Sequence, residues 1–175
     1  MRIFLIGYMG SGKTKIGKLM ASQMGYTFVD TDQQLETRYK MSVSGIFETL
    51  GETEFRKAER ACIENLTRTE QVIISTGGGV PCHNDNMALM KSTGKTVYLN
   101  VPVAELISRL SEPRRKEKRP LLAKLSDSEL SEYINKTLNA RLPFYEMADI
   151  IIDGSSNPER VVSDIMNSLY GRTVI

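Results

Sequence analysis

The chain has 175 residues, 41% of them hydrophobic and 25% charged, with a net charge of +2. At roughly 150 residues per globular domain this is one domain, 1–175, able to bury about 70% of its unfolded surface, and the composition excludes disorder, collagen and coiled coil. The near-balance of charge argues against a general polyanion binder, two cysteines and one histidine cannot close a four-ligand zinc site or a disulfide framework, and no stretch approaches the ~20 apolar residues of a membrane span.

From the first residue, Arg2 precedes the apolar run Ile3 to Ile6, but Gly7 interrupts it before a signal-peptide core of about 7–15 residues is complete. The run therefore predicts a strand, and without an export signal the protein is expected in the cytoplasm. Ile16, Leu19, Met20 and Met24 recur at helical spacing, and Thr27-Phe28-Val29 reads as a second strand. Val72-Ile73-Ile74, Thr96-Val97-Tyr98-Leu99 and Ile150-Ile151-Ile152 are three more, short and β-branched. Val103, Leu106, Ile107 and Leu110 form one helix face. Between Ser111 and Lys124, Pro113, Pro120 and the charges from Arg114 to Arg119 leave no apolar face, so an exposed, mobile lid is expected there. Ser126 and Glu129 form a capping box ahead of Leu130, Ile134 and Leu138, and Asn157-Pro158 opens a last helix carrying Val161, Ile165 and Leu169. Strands alternating with helices predict a three-layer α/β/α sandwich around a five-stranded parallel sheet.

Gly7-Tyr8-Met9-Gly10-Ser11-Gly12-Lys13-Thr14 matches G-x-x-x-x-G-K-[ST] in full, between a predicted strand and a predicted helix. Glycines let backbone N–H groups turn inward around phosphate oxygens, the helix N-terminus adds positive dipole, and Lys13 supplies a cation. Gly10, Ser11, Gly12, Lys13 and Thr14 are the candidate nucleotide-binding residues, with the Thr14 hydroxyl a candidate Mg²⁺ ligand. The guanine-specifying N-K-x-D is absent, since Asn135-Lys136-Thr137-Leu138 lacks the Asp. A small phosphate-loop domain with a basic, proline-flanked late loop points to phosphoryl transfer to a small acceptor.

Asp30 and Asp32 follow the second strand, and on a continuing extended backbone both would face one site; the alternative is that Asp32 caps a helix beginning at Gln33. One carboxylate can hold Mg²⁺ through water and the other can deprotonate a hydroxyl. On spacing, Arg56 forms solvated salt bridges with Glu52 and Glu59. Gly77-Gly78-Gly79 allows close approach by a ligand or makes a plain turn. Arg141 reads as a cation ending a helix, and Cys82-His83 as loop residues.

Taken together, the phosphate loop, Asp30-x-Asp32, Gly51-Glu52 with Phe55-Arg56-x-x-Glu59, Gly77-Gly78-Gly79, Arg119-Pro120-Leu121-Leu122, and Arg141 with Tyr145 resemble the shikimate kinase family over nearly the whole chain. The resemblance implies ATP-dependent phosphorylation of the 3-hydroxyl of shikimate and a nucleoside monophosphate kinase-like fold with strand order 2-3-1-4-5; small kinases of this shape need no partner chain, so a monomer is expected. The resemblance assigns Asp32 to the acceptor hydroxyls, with Lys13 and Arg119 at the transferred phosphoryl. Arg56, Arg141, Gly78 and Gly79 fall to shikimate, Asp30 to Mg²⁺ through water, and Pro158 to the adenine loop. Two departures stand out. The arginine usual seven residues before Arg119 is Glu112, leaving Arg109, Arg114 or Arg115 as substitutes, and the third strand runs into Ser75-Thr76-Gly77 without an aspartate, so Asp30 carries more of the metal role. The rivals are a kinase for another small acceptor, such as gluconate, and a nucleotide-dependent module docking RNA or an acidic partner on Arg114 to Arg119. The latter lacks aromatics interleaved to stack bases.

Overall fold

The computed structural model describes residues 1–113 and 120–171. Five parallel strands, β1 (Arg2–Ile6), β2 (Thr27–Asp30), β3 (Val72–Ser75), β4 (Lys95–Asn100) and β5 (Ile150–Asp153), lie in the order β2-β3-β1-β4-β5. Ile3 pairs with Ile73 and Lys95, which places β1 at the centre. The helices are α1 (Lys13–Met24), α2 (Thr31–Tyr39), α3 (Val43–Leu66), α4 (Asn86–Thr93), α5 (Val103–Ser111), α6 (Pro120–Ala123), α7 (Asp127–Tyr145) and α8 (Pro158–Tyr170), with a 3₁₀ turn at Val80–Cys82.

Strand side chains alternate between two cores, as a parallel sheet covered on both faces requires. Ile3, Leu5, Ile73, Val97 and Leu99 meet Ile16 and Met20 of α1 and Val161, Val162 and Ile165 of α8. Phe4, Ile6, Ile74 and Tyr98 face the larger core with Phe55 and Ile63 of α3, Met87 and Met90 of α4, Leu106 and Leu110 of α5, and Leu130, Ile134 and Leu138 of α7. The three-layer sandwich and the strand order expected from the sequence are both observed.

Local signals hold at two helix starts. Ser126 Oγ accepts from Glu129 N while Glu129 Oε2 accepts from Ser126 N, and Asn157 Oδ1 accepts from Arg160 N at 2.8 Å with Pro158 at the first helical position. The expected loop at 111–124 is corrected at both ends. α5 runs through Ser111, α6 forms at Pro120–Ala123, and Leu122 is buried in the larger core, because apolar surface flanks the charged run. The central charges 114–119, including Arg114, Arg115 and Arg119, lie outside the described residues. Among the described residues, no helix is long and apolar enough to cross a membrane.

Gly94 joins α4 to β4 where nothing larger fits. A Cβ there would stand 2.9 Å from the Arg2 carbonyl oxygen of the central strand and 2.8 Å from the buried Phe4 ring. Gly94→Ala is expected to destabilise by about 1–3 kcal/mol from overpacking, less the ~0.4–1 kcal/mol gained by restricting the unfolded chain. A lower urea midpoint at unchanged m-value is the expected reading, and an unchanged midpoint would contradict the packing argument.

Candidate active site

The carboxyl ends of β2, β3 and β1 are neighbours in the sheet, so the loops leaving them form one surface, where open α/β sheets bind ligands. After β1, Gly10 (φ 82°) and Gly12 (φ 96°) take backbone conformations that side chains rarely adopt, and Gly12 is the N-cap of α1. Lys13 curls back into the loop, its Nζ donating to the carbonyls of Gly7 at 2.8 Å and Tyr8 at 3.0 Å. The Ser11 Oγ is buried without a hydrogen-bond partner inside the turn. An orphaned buried hydroxyl beside a buried ammonium and a helix N-terminus is a cradle for phosphate oxygens.

Thr14, in the first turn of α1, donates through Oγ1 to Asp30 Oδ2 at 2.8 Å. Asp30 is the N-cap of α2, its Oδ1 accepting from Asp32 N at 3.1 Å. This corrects both readings of the acidic pair. The helix begins at Thr31, so the backbone does not stay extended past Asp30, and the cap is Asp30 and not Asp32. Turning the chain aims Asp32 at the loop after β3, where its Oδ1 would lie 2.6 Å from a Cβ placed on Gly77. Thr31 secures that loop by accepting from Gly77 N at 3.0 Å.

Arg56 sits on α3, which is kinked at Gly51 (φ 74°, ψ 168°). Its partners are those the spacing predicts, Glu59 at 2.7 Å and Glu52 at 3.6 Å, but the pair is not solvated: the Glu59 side chain is 3% exposed and that of Arg56 17%. The correction has a tertiary cause, since α3 presses this face against Gly77 and Gly79. Burial pushes the Glu59 carboxyl above the ordinary carboxylate range, against the hydrogen bond and charge of Arg56, and Asp32 adds to the push. The Arg56 guanidinium lies close over Gly79, where a Cβ would meet Nη1 at 2.8 Å and push the side chain aside.

Arg141, on α7, reaches the neighbouring glycine. It does not end its helix, because α7 continues through Pro143 to Tyr145, leaving Arg141 one turn in. A Cβ on Gly78 would lie 3.1 Å from Arg141 Nη1, and the Tyr145 hydroxyl donates to the Gly78 carbonyl at 2.6 Å. The triple glycine is thus a bed for two guanidinium groups, with Asp32 at its near edge. Nearby, burial pushes the Cys82 thiol up to about 11, so it stays protonated at neutral pH, and burial together with the Arg56 charge holds His83 below its ordinary value.

Arg109 of α5 donates to Gly10 O at 3.2 Å and Gly154 O at 3.4 Å, with Glu105 at 2.8 Å on Nε, and so ties the phosphate loop to the segment between β5 and Pro158. The sequence-predicted residues Gly10, Ser11, Gly12, Lys13, Thr14, Asp30, Asp32, Arg56, Gly78, Gly79 and Arg141 converge at the carboxyl end of the sheet, and Pro158 follows the Gly154 segment that Arg109 joins to the phosphate loop. Arg119 falls outside the described residues. Sequence reasoning missed Thr31 and Tyr8, which carry no motif signal of their own.

The comparisons agree over nearly the whole chain. The family model described as shikimate kinase matches residues 9–170. The shikimate kinase of Parabacteroides distasonis is 46% identical over 169 residues, covering 96% of each chain. The crystal structure of shikimate kinase from Bacteroides thetaiotaomicron aligns with a TM-score of 0.91 at 40% identity, over 97% of this chain and 98% of that one. Shikimate kinase from Acinetobacter baumannii, solved in complex with shikimate, aligns at 0.88 and 29% identity, over 99% of this chain and 95% of that one.

Proposed function

The chain belongs to the shikimate kinase family and phosphorylates shikimate in aromatic amino acid biosynthesis, and on that premise we propose how its own residues carry the reaction. The observation that carries the reading is the convergence of Arg56 and Arg141 on Gly79 and Gly78 beside Asp32, at the mouth of the phosphate loop. Two guanidinium forks over a side-chain-free backbone suit a small carboxylate ligand. They leave Asp32 to meet its hydroxyls.

ATP enters with its phosphates on the backbone N–H groups from Gly10 to Thr14, and Lys13 exchanges two loop carbonyls for phosphate oxygens. Pro158 bounds the adenine side. The acceptor carboxylate lies between Arg56 and Arg141, which turns the 3-hydroxyl toward the γ-phosphoryl group and Asp32. Asp32 takes the hydroxyl proton as the oxygen attacks in line, and Lys13 offsets the charge gathering on the transferred oxygens. Arg119 is assigned the same task on the family resemblance. Thr14 and Asp30 present two hard oxygens 2.8 Å apart, which fit Mg²⁺, an ion that keeps most of its waters and takes few protein ligands beside substrate phosphates. When bound, the ion supplies charge neutralisation on the nucleotide phosphates. All these groups come from one chain, so a monomer suffices, and the ligands are small molecules.

The test is an ADP-release assay at saturating ATP and Mg²⁺, with shikimate, quinate or gluconate as acceptor. Shikimate-dependent release well above both controls is the expected result. Release that responds to gluconate and not to shikimate would overturn shikimate as the acceptor.

A further inference from the structure

Tyr8 occupies a variable place in the phosphate loop, yet its side chain turns away from the cradle. It is 1% exposed and reaches α7, where its hydroxyl shares a hydrogen bond with Thr137 Oγ1. Thr137 Oγ1 gives its own proton to Tyr133 O at 2.6 Å, so the Tyr8 hydroxyl is the donor and is tethered in one direction. One turn on from Thr137, the Arg141 guanidinium lies over the Tyr8 ring, with Cζ 5.5 Å from the centroid. That places the ring within cation–π range of Arg141. Arg141 also hydrogen-bonds the Tyr145 side chain, and an arginine that must meet a carboxylate bidentately gains from having its plane fixed beforehand by such neighbours. Both aromatic neighbours of the guanidinium are set by packing: Tyr8 and Tyr145 are among the largest fully buried side chains.

We infer that Tyr8 is a positioning residue for the acceptor site: its tethered ring holds the Arg141 guanidinium in the plane that grips the acceptor carboxylate. The inference rests on the reading of Arg141 given above. It predicts that substitutions at Tyr8 act on the acceptor through Arg141.

Steady-state kinetics of Tyr8→Leu, Arg141→Ala and the double variant test it. Tyr8→Leu removes the π face while keeping apolar volume, and the KM for shikimate is expected to rise roughly 3- to 30-fold, the range of a partly desolvated cation–π contact. The KM for ATP moves less than about twofold, a split that general loss of packing would not produce. In the double variant the KM for shikimate matches that of Arg141→Ala alone, because the ring then has nothing left to position. A parental shikimate KM in Tyr8→Leu, or a double variant clearly worse than Arg141→Ala, overturns the inference. If Arg141→Ala itself leaves the KM for shikimate unchanged, the reading of the acceptor site fails instead. Should the leucine variant not fold, Tyr8→Phe and Thr137→Val cut the tether alone. Equal rises that do not add in the combined variant support the inference, and a parental KM in both overturns it.

Discussion

Asp32→Asn is expected to lower turnover at least about 10²-fold, the lower range for a group that moves a proton in the transition state, with the KM for ATP little changed. The structure removes the bland explanation for this residue. Asp30 does the capping of α2 and also holds Thr14, so the amide substitution at Asp32 disturbs neither the helix start nor the Thr14 contact. What Asp32 does touch is the glycine bed, where its carboxylate lies against Gly77 and raises the Glu59 carboxyl by its charge. The substitution is isosteric and removes that charge, so any loss of packing is small and the loss of rate reports the chemistry. Rates at several pH values with both substrates saturating are the measurement. Near-normal turnover would reduce Asp32 to a polar contact of the Gly77 loop.

The second large effect falls on the acceptor. Arg56→Ala and Arg141→Ala should each weaken shikimate binding by about 2–5 kcal/mol, as removal of one partner from a desolvated charge pair does, so that KM for shikimate rises at least roughly 30-fold. Arg56→Ala should also lower stability, by about 3 kcal/mol, because Glu59 is then buried without its partner. The pH dependence of that loss has a definite sign. A carboxyl whose folded pKa lies above its unfolded value binds the proton more tightly when folded, so the deficit is full at neutral pH and shrinks as pH falls through the raised folded value. Arg56→Ala combined with Glu59→Gln restores much of the urea midpoint and none of the shikimate KM. An unchanged KM in both single variants would refute the carboxylate grip.

Much of the fold was legible because its signals are local. A short β-branched run in a sheet covered on both faces is apolar throughout, so β1 and β3 show directly in Ile3 to Ile6 and Val72 to Ile74. Caps act through the next three residues, which is why Ser126 and Asn157 could be placed. The phosphate loop is local too, one turn of backbone whose glycines and lysine are needed in sequence. Strand order was not local; it came from the family resemblance, because periodicity says nothing about which strand lies beside which. α4 was missed, a short element held mainly by Met87 and Met90 in the larger core.

The candidate site divides in the same way. By itself the sequence determined the phosphate-binding chemistry, the presence of carboxylates after β2, and the partners of Arg56, since i±3 and i±4 spacing on a helix leaves little choice. Only the tertiary structure decided what those groups face. Asp30 turns the chain and so sends two residues of one motif to two tasks. Glu59 is buried because α3 meets the loop after β3, and Arg141 lies over Tyr8 because α7 crosses a loop that precedes it by more than a hundred residues. Burial and the orientation of charge are properties of surfaces brought together by folding. No stretch of chain holds both sides of such a contact.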